Sequence, residues 1–273
     1  MTHKNYHNQP NSNRLDTDRS RTYEYAIVRT KDNIKYSGAK ADIHVWKPLV
    51  WWGGDFSIAQ MWLVHSERES TVEVGWHVYP DLYNDDKTRL FTYWTGDGYV
   101  NTGCYNLVCS GFVQVGSEIS LGSPLSPVSA FNGPHYQINI NVFQDVENGN
   151  WWLEVQNDMV GYWPSSIVPK LASGAEEVQY GGEILDKKAM MGERAPHTIT
   201  EMGNGHFSED GKDKAAAFSN IQLLDMAQSG YKMPPDLNYF APKPYCYDIA
   251  LDRDKNWGMF FVYGGPGRNP ECL

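Results

Sequence analysis

From Tyr23 onward, apolar and polar residues alternate with a period of two in short runs. Ala26 and Val28 stand against Ile27 and Arg29, Ile43 and Val45 stand against His44 and Trp46, and the same alternation runs through residues 71–79, 89–95, 136–143 and 151–157. Successive side chains of an extended chain point to opposite faces, so each run reads as a strand with one face for a core. Clusters of Gly, Pro, Asn and Asp punctuate the runs at residues 52–55, 80–86, 122–124 and 147–150, as turns require. Val, Ile, Tyr, Trp and Thr dominate, and no segment carries a helical stripe over three turns; one short helix is expected around residues 164–173. The expected fold is all-β, two twisted antiparallel sheets packed as a jelly-roll-like sandwich with long loops.

Residues 1–22 hold almost nothing to bury and are expected to be a disordered lead or a propeptide remnant, followed by one domain over 23–273. The stretch 187–233 is more polar and Gly-rich, yet Phe207, Phe218, Ile221 and Leu223 keep it inside that domain.

Composition narrows the partners. The chain has 273 residues, 41% of them hydrophobic, and 23 Lys and Arg against 33 Asp and Glu give a net charge of -10. That balance argues against nucleic acid and anionic membrane surfaces. No apolar run is long enough for a membrane helix, and Met1 to Ser20 is too polar for a signal peptide. The four cysteines form two groups, Cys104 with Cys109 and Cys246 with Cys272, and neither spacing is that of a zinc or thioredoxin motif. Three connectivities are open, of which local pairing costs least in chain geometry. Disulfides imply an oxidising compartment, which conflicts with the missing signal unless the N-terminus is truncated.

Several chemistries are absent. There is no G-x-S-x-G, H-E-x-x-H, P-loop or G-x-G-x-x-G signature. The eight histidines are scattered, and His197 and His206 share a polar loop without a third ligand at metal spacing. No metal or cofactor is expected, and carboxylates remain as catalytic groups. In residues 71–79 the even positions Val72, Val74, Trp76 and Val78 form an apolar face and leave Glu73 on the other, beside Gly75. In residues 178–184 the even positions Val178, Tyr180, Gly182 and Ile184 do the same for Glu183, beside Gly181. A glycine next to each glutamate on its face lets an extended substrate backbone approach the sheet. The same pattern also describes two solvated glutamates beside bulges, and Glu154 sits in a comparable strand, so spacing alone does not choose the pair.

The motifs do. Gln60-Met-Trp-Leu, Val72-Glu-Val-Gly-Trp, Thr88-Arg-Leu-Phe-Thr-Tyr-Trp-Thr, Thr102-Gly-Cys-Tyr-Asn-Leu-Val-Cys-Ser-Gly-Phe, Gly149-Asn-Trp-Trp, Gly161-Tyr-Trp-Pro, Gly181-Gly-Glu, Met202-Gly-Asn-Gly-His-Phe and the tail from Tyr263 to Cys272 closely resemble the catalytic domain of the neprosin family of plant proteins. The resemblance runs in order from about Tyr25 to the end. It implies an antiparallel sandwich and a glutamic peptidase, with the family glutamates at Glu73 and Glu183 and disulfides Cys104–Cys109 and Cys246–Cys272. It also implies a secreted, extracellular or vacuolar protein, although the usual signal and activation propeptide are not visible here. Gln179-Tyr180 stands where an acidic residue and Trp are usual.

Two carboxyls facing one site do not both ionise easily, so one is expected to deprotonate a water while the protonated partner hydrogen-bonds the developing oxyanion. By analogy with fungal glutamic peptidases, which use a Gln and a Glu, Glu183 would be the base and Glu73 the electrophile, with the roles exchangeable on sequence grounds. An acidic optimum follows. Trp62, Gln60, Gly75, Gly181 and Tyr180 are the expected substrate-binding residues, with Trp62, Trp76 or Tyr180 as an aromatic wall for proline and cleavage after proline as the expected preference. The expected partner is then a peptide or protein substrate, Pro-rich chains among them, and the chain is expected to act as a monomer. A sandwich-fold glycoside hydrolase and a non-catalytic binding or structural protein are the alternatives.

Overall fold

The alternating runs form strands in the computed structural model, which describes residues 22–31, 34–65, 69–191 and 196–273. Apart from Thr22, the lead expected over 1–22 lies outside the described residues. In chain order the strands are β1 (Tyr23–Arg29), β2 (Tyr36–His44), β3 (Phe56–Val64), β4 (Thr71–Val78), β5 (Arg89–Thr95), β6 (Cys104–Tyr105), β7 (Val113–Gln114) and β8 (Gln137–Gln144). They continue with β9 (Trp151–Val155), β10 (Asp158–Trp163), β11 (Glu177–Leu185), β12 (Ala216–Asp225), β13 (Asn238–Phe240), β14 (Asp248–Asp254) and β15 (Gly258–Gly264). A seven-stranded sheet runs β13-β1-β11-β3-β4-β5-β6, and an eight-stranded sheet runs β14-β15-β12-β2-β8-β9-β10-β7. Every pairing within them is antiparallel. The polar stretch 187–233 contributes β12, which lies inside the second sheet between β15 and β2.

The core is the space between the sheets. Ala26, Val28, Ala59, Met61, Val72, Val74 and Trp76 project into it from the first sheet, and Ile43, Ile140, Val142, Leu153, Phe218 and Phe261 from the second. At about 25 cal/mol per Å² of apolar surface removed from water, this layer is the main stabilising contribution. The two sheets treat their outer faces differently. Strand β8 alternates buried and part-exposed residues, so the second sheet shows solvent one face there, while Ala217, Phe260 and Val262 form a small buried cluster on β12 and β15. Strands β3 and β4 are buried at every position. A second cluster explains this: Tyr23, Tyr25, Ile27, Phe56, Ile58, Trp62, Tyr79, Phe91, Tyr93 and Tyr99 pack on the outer face of the first sheet.

Two local expectations are corrected. The helix expected around residues 164–173 is a 3-10 helix over Pro169–Ser173 only, since Pro169 opens it and Gly174, at φ 93, stops it. The turn at 80–86 contains a one-turn helix, α1 (Pro80–Tyr83), closed by the left-handed Asn84. The disulfides are Cys104–Cys109 and Cys246–Cys272. Among the described residues no helix is long and apolar enough to cross a membrane.

Candidate active site

Strand registry organises the outer face of the first sheet into three transverse rows. Arg29, Gln179, Trp62, Glu73 and Tyr93 are successive cross-strand partners in the first. Ile27, Gly181, Gln60, Gly75 and Phe91 form the second, and Tyr25, Glu183, Ile58, His77 and Arg89 the third. Glu73 and Glu183 therefore share a face, at diagonally opposite corners around Gln60, two strands apart. In the row between them only Ile27, Gln60 and Phe91 carry side chains.

Each carboxylate has its own donors. Gln60 Nε2 donates to Glu183 Oε2 at 3.0 Å, and the Tyr25 hydroxyl lies 3.4 Å from Oε1. Thr71 Oγ1 donates to Glu73 Oε1 at 2.9 Å and the Tyr99 hydroxyl donates to the same oxygen at 2.6 Å. Tyr99 reaches Glu73 because the loop after β5 is pinned. Asp97 accepts backbone N–H groups from Val100, Asn101 and Thr102, and Tyr99 N donates to Thr95 Oγ1 at 2.9 Å. Burial would raise the Asp97 carboxyl, but the Thr102 hydroxyl and these N–H groups hold it below the ordinary carboxylate value. Tyr99 itself has φ 64, a left-handed conformation costing on the order of 1 kcal/mol for a residue with a side chain. The strain delivers its hydroxyl to the glutamate.

Both glutamates are 0% exposed, in surroundings where charges interact more strongly than in water. They act on common neighbours. The Tyr93 phenol is pushed well above its ordinary value by burial first and then by Glu73, with Glu183 also contributing. Burial, Tyr79 and Tyr93 raise the Tyr105 phenol, and Glu183 and Glu73 add to it.

A family model described as Neprosin matches residues 53–266. The chain belongs to the neprosin family. In structure it is similar to Scytalido-glutamic peptidase solved with a peptide-based transition state analog, at 11% identity and TM-score 0.45, over 90% of this chain and 98% of that one. It is also similar to SCP-B, a member of the Eqolisin family of peptidases in complex with the tripeptide Ala-Ile-His, at 9% identity and TM-score 0.43, over 90% of this chain and 98% of that one.

Within this neprosin-family domain, the residues expected at the site separate into two groups. Glu73, Glu183, Gln60, Gly75, Gly181 and Trp62 lie together on the outer face of the first sheet. Trp62 is fully buried opposite Glu73, and neither its indole N–H nor Gln60 Oε1 has a hydrogen-bond partner among the described residues. Tyr180 does not join them. It projects into the core, where its hydroxyl lies 3.5 Å from the Gln222 carbonyl, because adjacent residues of a strand face opposite ways and Glu183 is three positions along. The same alternation turns Trp76 into the core, where its indole N–H donates to the His44 carbonyl at 2.8 Å. Neither ring serves as a wall beside the glutamates. Glu154 lies in the second sheet, accepting from Asn141 Nδ2.

The glycines meet a stronger demand than room for a substrate. A Cβ on Gly75 would lie 2.0 Å from the Ala59 carbonyl oxygen, and one on Gly181, at φ +144, would lie 2.3 Å from the Ala26 carbonyl oxygen. Their neighbours' backbones exclude any side chain.

Residues missed in the sequence include Tyr25, Thr71, Tyr93, Tyr99 and Tyr105. Thr71 alone had a readable signal, being two positions before Glu73 in the same strand. Near the site but on the core side, His197 Nε2 lies 2.9 Å from Glu24 Oε1, Lys243 also donates to that oxygen, and Asp186 accepts from Thr198 N. One ligand atom each from Glu24, Asp186 and His197 lies within 4.8 Å of the others, but His197 and Lys243 already neutralise Glu24.

Proposed function

We propose that the protein is a glutamic endopeptidase in which Glu73 and Glu183 activate one water against a peptide carbonyl. The observation that carries this reading is the convergence of the two family glutamates, far apart in sequence, on one sheet face, each supplied with its own hydrogen-bond donors. Glu183 takes a proton from the water as the oxygen bonds to the carbonyl carbon, and protonated Glu73 hydrogen-bonds the resulting oxyanion. On collapse of the tetrahedral species, the C–N bond breaks and the Glu183 proton passes to the leaving nitrogen. No covalent enzyme intermediate and no metal are required. Gln60 holds Glu183 as Thr71 and Tyr99 hold Glu73, and donors to both carboxylates leave the base and acid roles exchangeable.

The finer reading is cleavage after proline at acidic pH. Proline pre-orders a substrate in an extended form, which lowers the cost of laying it along a sheet. Of the expected wall residues Trp62 is the one on the glutamate face; it is buried there, and a proline ring would meet it where the surrounding cluster opens. The two disulfides suit a secreted or vacuolar protein.

The test is incubation of purified protein with a Pro-rich peptide from pH 3 to 7, followed by mass spectrometry of a digested protein mixture. Activity on the acid side, lost in Glu73→Gln and in Glu183→Gln with folding retained, is expected. Cuts spread evenly over residue types would remove the proline preference alone, whereas turnover by Glu183→Gln at the wild-type rate would remove the mechanism.

A further inference from the structure

The glutamate face carries an arginine on either side of the glutamates, and they are treated differently. Arg89, in the Glu183 row, is fully engaged: it pairs with Asp85, donates to the Gly122 carbonyl and stacks on Tyr83. Arg29 lies in the Glu73 row on β1, half-buried, with Asn238 of the edge strand β13 beyond it, and its side chain makes no hydrogen bond or ion pair with any described residue. Its guanidinium stands 5.9 Å from the centre of the Phe240 ring. In a chain with ten more acidic than basic side chains, a half-buried arginine left without a carboxylate is a notable exception.

Its surroundings complete a subsite. Across the strands Arg29 faces Gln179 on one side and Asn238 on the other, while Ile27 faces Phe240. Phe240 and Asn238 are exposed, so the row of buried residues opens to solvent here. The row holding Ile27, Gly181, Gln60 and Gly75 leads from between the glutamates to this edge. From β3 to β1 is two strand spacings, about 10 Å, or about three residues of extended peptide. Arg29 thus lies beside the line of a peptide crossing the strands from the glutamates, one strand short of the β13 edge, and a guanidinium held near an aromatic ring can present its fork to a carboxylate.

We propose that Arg29, with Phe240 as its backing, is a carboxylate-recognising subsite that selects substrates bearing an anion two to four residues from the cleaved bond. The proposal rests on the peptidase reading. The carboxylate is either an Asp or Glu side chain or the substrate's own C-terminus.

Three matched peptide types distinguish these sources: one with an acidic residue two to four positions from the cleaved bond and an amidated C-terminus, one neutral with a free C-terminus, and one neutral and amidated. Cleavage at pH 5 and low salt is expected to favour at least one carboxylate type over the neutral amidated peptide by about tenfold in kcat/KM. The ratio falls toward one in Arg29→Gln, recovers partly in Arg29→Lys, and shrinks at pH 3, where the substrate carboxylates protonate. Binding of the same peptides to Glu183→Gln reads the subsite without turnover. Equal binding of all three, or an anion preference unchanged in Arg29→Gln, would overturn the proposal. Loss of turnover on every peptide with the binding preference intact would overturn the peptidase reading instead.

Discussion

Gln60 Nε2 lies 3.0 Å from Glu183 Oε2, and the Gln60 side chain stands between two glycines, Gly181 and Gly75, in adjacent strands. An amide in that position fixes the carboxylate's rotamer and favours its ionised form, while its own carbonyl oxygen stays buried without a partner among the described residues. Gln60 is therefore a positioning residue for the proposed base.

Gln60→Leu should lower kcat/KM about 10–100-fold, the loss expected for one hydrogen bond to a charged group of about 1.5–3 kcal/mol. The acid limb of the pH–rate profile should move upward, because Glu183 then needs a higher pH to ionise. Gln60→Glu should be active only at lower pH than wild type, where the added carboxyl is protonated and can donate. Unchanged profiles accompanied by a lower melting temperature would show that Gln60 only packs.

Gly75→Ala and Gly181→Ala are each expected to destabilise by more than about 3 kcal/mol, since the new Cβ meets a neighbouring strand's carbonyl rather than a movable side chain. Gly230, at positive φ like Gly181 but with nothing within 4 Å of where a Cβ would lie, is the control. Gly230→Ala should cost about 1 kcal/mol, the backbone penalty alone. Urea unfolding of the three variants provides the comparison.

Stability should fall as pH rises past neutrality. Burial raises the Asp55 carboxyl above its ordinary 3.8, against hydrogen bonds from Thr198, Thr200 and Lys187 N, and the Asp186 charge raises it further. Burial alone would lower His197, but its hydrogen bond to Glu24 and that residue's charge raise it above the ordinary 6.5. Groups with raised folded values contribute stability that is present below their unfolded values and lost as pH climbs through the folded ones. Asp97 and Asp85 are lowered and have the opposite sign, so their contribution is lost as pH falls below about 4. Burial first, and then the His135 charge, lower His44 from 6.5 to about 4, so its contribution is lost as pH falls below about 6.5, and the melting temperature should peak near pH 6.5. His197→Gln should flatten the decline above that pH, and Asp55→Asn should steepen the rise just above pH 4. A wild-type melting temperature as high at pH 8 as at pH 6.5 would contradict this assignment.

Replacing each cystine by a Ser pair should cost more at Cys246–Cys272 than at Cys104–Cys109, because the sequence separations are 26 and 5. On the loop-entropy account the losses are about 3.5 and about 2 kcal/mol. Chemical denaturation of the two double variants would show whether this order holds.

The period-two alternation by itself determined the all-β class and the faces on which Glu73 and Glu183 sit, because strand geometry fixes side-chain direction locally. The same rule already placed Tyr180 with Val178 and Ile184 on the core face. Its aromatic character favoured a substrate wall, but direction along a strand decides contact before residue type does. The family motifs chose Glu73 and Glu183 over Glu154, which alternation could not, and the chain's acidic balance narrowed the partners.

Only the tertiary structure decided which strands are neighbours. β1 lies beside β11, and β11 beside β3, although long stretches of chain separate them. That order brings Tyr25 and Gln60 to Glu183 and lines up Arg29 with Glu73. Tyr99 comes from a loop whose left-handed residue is held by Asp97 and Thr95, and no periodic signal marks such a position. Local sequence sets which way a side chain points along its own strand. Cross-strand registry and loop closure are non-local, so the donors around each glutamate became visible only once the sheets were assembled.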